Sequence, residues 1–414
     1  MKFETLRGMK DMFSQEVEKY NFIVNTAKKI FDKYGYTNII TPILEETELF
    51  KRAVGDETDV VSKEMYTFMD KGDRSITMRP EGTAGVVRAY LNAGFHKSNP
   101  NVKWYYYGPM YRYEAPQKGR YREFHQFGVE SFGIRSAFLD AELITMACEF
   151  LDNLGITDIY VELNSLGSVE SRITYIKELK KYLLNNIDKL SDDSKIRAEK
   201  NPLRVFDSKD EGDQKFLENA PKLHDFFDEE SKIFFEELKY NLDEFNIKYE
   251  INPSLVRGLD YYSDTVFEIK SNKLGAQSTI LGGGRYDKLT EILAGIKVPA
   301  VGFAAGIERL SMIMDESLLS KKDKKVFIIY FEETKKYLFD IIKILRKNDV
   351  NVEFEYSIKG FSAQMKKANK VGANYVLILG ENEINSGKIT FKDFKTGNQE
   401  EITITEMIER IKHV

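Results

Sequence analysis

The sequence predicts an α+β body on a mixed, mainly antiparallel sheet flanked by helices. A helical insertion interrupts that body, and a small α/β domain follows it. Three observations carry this reading. Residues 102–133 form an aromatic hairpin around a loop bearing Pro116 and Gly119. From Val169 to about Ser231 the texture changes to charged helical segments between acidic, Lys-rich breaks. Beyond the Lys-rich stretch 320–325, strand and helix patterns alternate. At 414 residues two or three domains are expected. We set the segments at 1–168, 169–231, 232–320 and 325–414, the first and third forming one body.

Composition narrows the function classes. A hydrophobic content of 42% with 31% charged residues suits a soluble globular protein. No apolar run reaches membrane-spanning length and the first residues lack an apolar signal core, so a cytosolic protein without membrane contact is expected. The single Cys148 excludes an internal disulfide and a multi-Cys zinc site. A net charge of −5 argues against non-specific coating of nucleic acid. It leaves room for a local basic patch: residues 325–414 carry fifteen Lys and Arg against thirteen Asp and Glu.

In chain order, apolar positions Val17, Phe22, Ile23, Ala27, Ile30 and Phe31 give helical spacing over 15–34, with Gly35 as the C-terminal cap. Residues 36–42 are β-branched and close on Pro42, so they read as a strand. Residues 51–63 read as a polar loop or short helix. Residues 65–69 and 75–79 read as paired strands. Next comes Arg79-Pro-Glu-Gly-Thr83, then a helix over 84–93. Thr83 as N-cap and Glu81 as a dipole partner account for that junction without any ligand.

In the hairpin, alternation puts Phe124, Gln126, Gly128 and Glu130 on one face. A carboxylate there is costly to bury unless something pairs with it. Arg112, Arg120 and Arg122 crowd the same hairpin, and their planar forks suit phosphate or carboxylate. An ordinary charged surface hairpin fits the spacing equally well. A helix over 138–154 and a strand over 159–163 follow. After the insertion, strand composition resumes at Ile247. Gly282-Gly-Gly-Arg-Tyr-Asp287 reads as a glycine corner opening a helix. Residues 301–310 read as a strand of small residues turning into a helix. Each glycine alone is most simply a tight turn; two such sites with Arg285 and Arg309 nearby point to an anionic ligand. The tail alternates strand 326–331, helix 334–348, strand 352–356, helix 362–371 and strand 375–379, the rhythm of a largely parallel sheet.

No GxxxxGK[ST] loop and no HExxH motif occurs, and the four histidines are too scattered for a metal set. No metal site built from protein side chains is expected. His125, among aromatics, reads as structural. A nucleotide would have to sit on a sheet surface held by arginines, where positioning and charge stabilisation carry the chemistry.

Several constellations together resemble the class II aminoacyl-tRNA synthetases. The long helix and strand ending at Pro42 resemble motif 1, Arg112-Tyr-Glu114 through Phe124 resembles motif 2, and Gly302 through Arg309 resembles motif 3. Leu255-Val-Arg-Gly-Leu-Asp-Tyr-Tyr262 and Gly282-Gly-Gly-Arg-Tyr-Asp287 are similar to the signatures of the histidyl-tRNA synthetase family. Arg7-Gly-Met-Lys-Asp11 and Arg79-Pro-Glu-Gly-Thr83 fit the same family, so the resemblance spans nearly the whole chain.

This resemblance implies a class II catalytic domain, a helical insertion and a C-terminal anticodon-binding domain. It implies activation of L-histidine by ATP, with Mg2+, and transfer of histidine to the 3′-terminal ribose of its tRNA. Arg112 and Arg257 would be catalytic, on either side of the α-phosphate. ATP would meet Arg112, Glu114, Arg120, Phe124 and Arg309. Histidine would meet Glu81, Thr83, Arg112, Gln126, Arg257 and Tyr261, its imidazole lying between Glu130 and Tyr262. Gln117 and Arg122 would approach the tRNA acceptor end, and motif 1 would make a homodimer. One departure is Ala115, where the family often has Arg. Met9 also replaces a commoner Thr or small residue.

The rival readings are a histidine-binding regulatory paralogue that supports ATP phosphoribosyltransferase, and another class II synthetase, for threonine or proline. Arg257 and residues 325–414 oppose the first. The 257–262 signature and the lack of zinc ligands oppose the second.

Overall fold

The computed structural model describes residues 3–55, 58–117, 119–255, 261–275, 278–319 and 324–413. Two compact units divide the chain, 1–319 and 320–414.

An eight-stranded sheet organises the first unit. Its order is Thr37–Asn38, Val102–Tyr111, Glu123–Phe132, Ala300–Gly306, Thr279–Arg285, Ser263–Lys270, Tyr160–Ser165 and Tyr249–Ile251. The two outermost pairings are parallel. The five between them are antiparallel, giving the mixed, mainly antiparallel sheet that the sequence predicts.

The aromatic hairpin supplies the second and third strands of this order, in unbroken register from Val102↔Phe132 to Tyr111↔Glu123. Alternation divides its second arm. The odd positions Phe127 and Val129 are buried. The Phe127 ring packs against Phe31 of helix Gln15–Lys33 and Phe150 of helix Ala137–Asn153, at 5.6 and 4.8 Å between centroids. The even positions turn to the opposite face. Helix Gln15–Lys33 buries Ile23, Val24, Ala27, Ile30 and Phe31, the expected stripe. It ends as expected at Gly35, which has a positive φ and donates to the Asp32 carbonyl.

Two local expectations change. The strand expected over 36–42 shrinks to Thr37–Asn38. The buried Arg79 guanidinium donates to the Thr41 carbonyl and hydroxyl at 3.2 and 3.1 Å, drawing the chain off the sheet edge. Gly282, Gly283 and Gly284 lie within strand Thr279–Arg285 rather than at a corner. The reason is crowding: a Cβ on Gly283 would stand 2.2 Å from the Gly302 carbonyl of the next strand.

The described residues of 51–63 include the end of helix Thr47–Val54 and most of a π-helical turn, Val60–Glu64. Strands Leu44–Glu46, Ser75–Met78 and Tyr66–Met69 form a small antiparallel sheet that delivers Arg79-Pro-Glu-Gly to the start of helix Thr83–Asn92.

Helices Val169–Asn185, Asp192–Lys200, Glu211–Leu217 and Glu229–Glu244 make the charged middle region. Asp213 holds three of its segments together, accepting from the hydroxyls of Ser191, Ser194 and Ser208 at 2.6, 2.5 and 2.5 Å. Its neck is clasped by a second serine set. Ser168 N donates to Ser231 Oγ at 2.9 Å, and the Asp228 carboxylate accepts from the Ser168 and Ser171 hydroxyls.

The second unit is a five-stranded sheet in the order Asn351–Phe354, Lys325–Tyr330, Tyr375–Leu379, Ile389–Asp393, Gln399–Ile402. The first three strands are parallel, and the last two add antiparallel. Val326, Ile328 and Tyr330 enter one core cluster while Phe327 and Ile329 enter another. Burial on both faces explains why this strand reads as a continuous apolar run. Among the described residues no helix is long and apolar enough to cross a membrane.

Candidate active site

The even-numbered face of strand Glu123–Phe132 opens into two joined cavities of about 360 and 770 Å³. Arg112, Arg120, Gln126, Gly282 and Ala304 line both.

Glu130 stands in the smaller cavity, 1% exposed. Thr83 Oγ1 donates to one carboxylate oxygen at 2.7 Å and the Tyr286 hydroxyl donates to the other. Burial pushes its carboxyl up to about 8, against the pull of those two hydrogen bonds. Gly302 makes room for it: a Cβ there would lie 1.9 Å from Glu130 Oε2. Glu81 accepts the backbone N–H of Thr83 and Ala84 at 2.7 and 2.8 Å, so it caps helix Thr83–Asn92 while lining the cavity. Burial raises its carboxyl too. Tyr261 and Tyr262 form the wall, with ring centroids 4.8 Å apart. Buried Gln126 Oε1 and Tyr106 Oη have no hydrogen-bond partner among the described residues.

The larger cavity is lined by Arg112, Glu114, Gln117, Arg120, Phe124 and Arg309 among others. Arg112 donates to the Pro80 carbonyl at 2.9 Å and lies 5.4 Å from the Phe124 ring centroid. Arg120 pairs with Glu114 at 3.2 Å. Arg309 donates to the Thr279 carbonyl at 2.6 Å. Burial, and then the neighbouring Arg120, lower the Arg309 guanidinium, the mark of two cations gathered at one concavity. Gln117 and Arg120 exchange backbone hydrogen bonds, closing the loop tightly.

The structure therefore brings together Glu81, Thr83, Arg112, Gln126, Glu130, Tyr261 and Tyr262 in one cavity. Glu114, Gln117, Arg120, Phe124 and Arg309 join Arg112 in the other. Arg122 lines neither. Its guanidinium lies 3.6 Å from the Tyr113 ring centroid, and its N–H donates to the Gly8 carbonyl at 2.7 Å, tying Arg7-Gly-Met9 to the hairpin. Arg257 lies outside the described residues.

Arg285 corrects the expectation of an anionic ligand beside it. Its side chain is fully buried and committed to Asp140 at 2.6 Å, the Ile134 carbonyl at 2.7 Å and Asp287 at 3.3 Å. A guanidinium so enclosed is part of the frame. His125 is structural as expected, with Nδ1 3.0 Å from Glu308 and its ring against Tyr20.

Two residues escaped sequence reasoning. Tyr286 sits inside the quoted glycine motif, where the glycines and Arg285 drew the attention. Tyr106 lies directly across the hairpin from Gly128, and a Cβ on Gly128 would stand 2.4 Å from its hydroxyl. An aromatic facing a glycine in register was the signal available.

Arginines over an antiparallel sheet, with the motif 2 hairpin and the motif 3 strand-to-helix element side by side, define a class II aminoacyl-tRNA synthetase. A family model described as Histidyl-tRNA synthetase matches residues 8–310, and one described as Anticodon binding domain matches residues 325–413. The histidine–tRNA ligase of Halothermothrix orenii is 45% identical over 410 residues, covering 98% of each chain. That of Thermodesulfovibrio yellowstonii is 45% identical over 414 residues, covering 100% of this chain and 99% of its own. The crystal structure of apo S. aureus histidyl-tRNA synthetase superimposes with a TM-score of 0.83 at 35% identity, covering 99% of this chain and all of its own. The chain belongs to the histidyl-tRNA synthetase family. Its activity is that of a histidine–tRNA ligase: ATP activates histidine, and the histidyl group passes to tRNA. An ATP phosphoribosyltransferase regulatory subunit/histidyl-tRNA synthetase from Bacillus halodurans C shares the fold at 20% identity and a TM-score of 0.65.

Proposed function

We propose that the smaller cavity holds L-histidine and the larger one ATP, which meet at Arg112. The observation that carries this is the placement of Arg112 and Gln126 on both cavities, where a carboxylate from one side reaches an α-phosphate on the other. Arg112 takes the carboxylate and the α-phosphate, and Arg257 takes the same phosphate from the opposite side. The carboxylate oxygen attacks the α-phosphorus, and the bond to the bridging oxygen breaks to release pyrophosphate. Arg120 and Arg309, gathered at the far end, take the γ-phosphate. Glu114 reads the adenine amino group, and Phe124 stacks on the base. ATP enters with Mg2+ on its phosphates.

Glu81, Thr83 and Gln126 receive the α-amino group. The unpartnered Gln126 Oε1 supports this, because a buried amide oxygen without a donor is costly until an ammonium supplies one. Glu130 accepts from one imidazole nitrogen and the Tyr262 hydroxyl meets the other, with Tyr261 lining the pocket. Gln117 and Arg122 meet the acceptor end, where Ala115 offers one contact fewer. In the second step a hydroxyl of the 3′-terminal ribose attacks the histidyl carbonyl, and AMP leaves.

The segments 1–168, 169–231, 232–320 and 325–414 serve as split catalytic body, insertion and anticodon-reading domain. Motif 1 pairs two copies in the cytoplasm. In support, Ile40 is 87% exposed, and Ile43, Leu44, Phe68 and Met69 are exposed on the same unit. Histidine-dependent ATP–pyrophosphate exchange tests the assignment. Arg112→Ala and Arg257→Ala are each expected to cut kcat/KM by about 10²–10³ with the fold retained. Near-normal exchange in either variant removes that arginine from its role.

A further inference from the structure

Arg135, outside the two cavities, touches four residues from three parts of the fold. Arg135 follows the second arm of the hairpin. Its guanidinium lies 3.3 Å from Glu230, 3.3 Å from Asp264 and 3.9 Å from Asp287. It also stacks over Phe234, 4.6 Å from the ring centroid. Glu230 and Phe234 belong to helix Glu229–Glu244, which leads out of the insertion, and Asp287 follows strand Thr279–Arg285.

Asp264 is the unusual partner. It lies two residues past Tyr262, in strand Ser263–Lys270, with φ at +46°. Its backbone is locked to the insertion neck: its carbonyl accepts Leu166 N–H at 2.7 Å and its N–H donates to the Gly167 carbonyl at 3.3 Å. The carboxylate is 5% exposed, with Oδ2 on Arg135 and Oδ1 buried without a hydrogen-bond partner. Asp140, Asp287 and the Arg285 guanidinium also face this group, and Glu230 reaches it through Arg135. Tyr262 is held from the same side, since Arg172 of insertion helix Val169–Asn185 donates to its carbonyl at 3.0 Å. The chain bearing the pocket tyrosines thus hangs from helices Val169–Asn185 and Glu229–Glu244, which enter and leave the insertion.

We propose that Arg135 is a positioning residue for the amino-acid pocket: through Asp264 it couples the neck of the insertion to the strand that directly follows Tyr262. This rests on the reading of the Glu130–Tyr262 cavity as the histidine site. Burial pushes the Asp264 carboxyl up to about 7; Arg135 opposes this most, and Arg285 adds to that opposition. Without Arg135 a buried carboxylate is left unpaired, and the left-handed turn it occupies has no reason to keep its geometry. The disturbance falls on Tyr262 and spares the far end of the ATP cavity.

The test uses the full chain in pyrophosphate exchange, with KM for histidine and for ATP measured separately. Arg135→Met is expected to raise the histidine KM about tenfold with ATP KM and kcat within about twofold, the size of a typical coupling between sites. Arg135→Lys, which keeps the charge, is expected to restore most of the loss. Asp264→Asn is expected to shift the histidine KM the same way. The double variant should cost no more than Arg135→Met alone, because the two act as a unit. Equal changes in both KM values, a lowered Tm with unchanged KM, or additive losses in the double variant overturn the proposal. Glu130→Gln runs alongside: an unchanged histidine KM there sinks the pocket reading itself, whatever Arg135 does.

Discussion

Glu130 is the residue on which the proposed recognition turns. Its carboxyl is buried with a donor on each oxygen. Its folded value of about 8 exceeds the ordinary 4.5, so between those values the folded chain binds a proton that the unfolded chain does not. Stability from this group therefore falls as pH rises through that window. Glu130→Gln removes the penalty. Its Tm should exceed the parent's by on the order of 2 °C at pH 8.5 and match it near pH 5. Thermal unfolding across pH checks the sign, and a difference that shrinks with rising pH contradicts it. Arg285, the same residue type as Arg309 and near the same glycines, shows why side chains of one kind diverge. Arg309 meets another arginine beside a cavity, whereas Arg285 meets Asp140 and is walled in.

At the scale of elements, alternation in the hairpin does most of the positioning. Phe124, Gln126, Gly128 and Glu130 share the site face as their spacing requires, and this much was legible in the sequence. The close approach of neighbouring strands was not. Gly302 lies directly across from Glu130, and its missing side chain is where the carboxylate goes. Gly302→Ala would put a Cβ 1.9 Å from Glu130 Oε2 and 2.4 Å from the Val129 carbonyl. That overlap is expected to cost about 1–3 kcal/mol in urea denaturation and to abolish saturation by histidine. Unchanged stability and KM would show that the strand yields freely. Gly302 was visible as a glycine, but its reason is a pairing with a residue 172 positions earlier in the chain. Tyr286 was missed on the same ground, since its partner Glu130 is remote in sequence.

At the scale of the whole chain, the division into two units was legible because the second has its own texture. The charged stretch expected to be helical is helical, within the first unit. Alternating strands and helices mark the second unit, although its antiparallel strands Ile389–Asp393 and Gln399–Ile402 carry a polar, weakly periodic pattern and went unread. Strand order across the large sheet, including the parallel pairing of Thr37 with Trp104, depends on distant partners and has no local signal. The two units match two demands of one reaction: a catalytic body for amino-acid activation, and a separate anticodon-binding domain for the tRNA. In the proposed function, selection of histidine belongs to the first, and Glu130 carries it. Calorimetric titration of free histidine into the wild-type chain and Glu130→Gln tests this most directly. Loss of the Glu130 acceptor facing the imidazole predicts affinity weakened at least about tenfold in the variant with its fold retained. Equal affinity in the two proteins would contradict it.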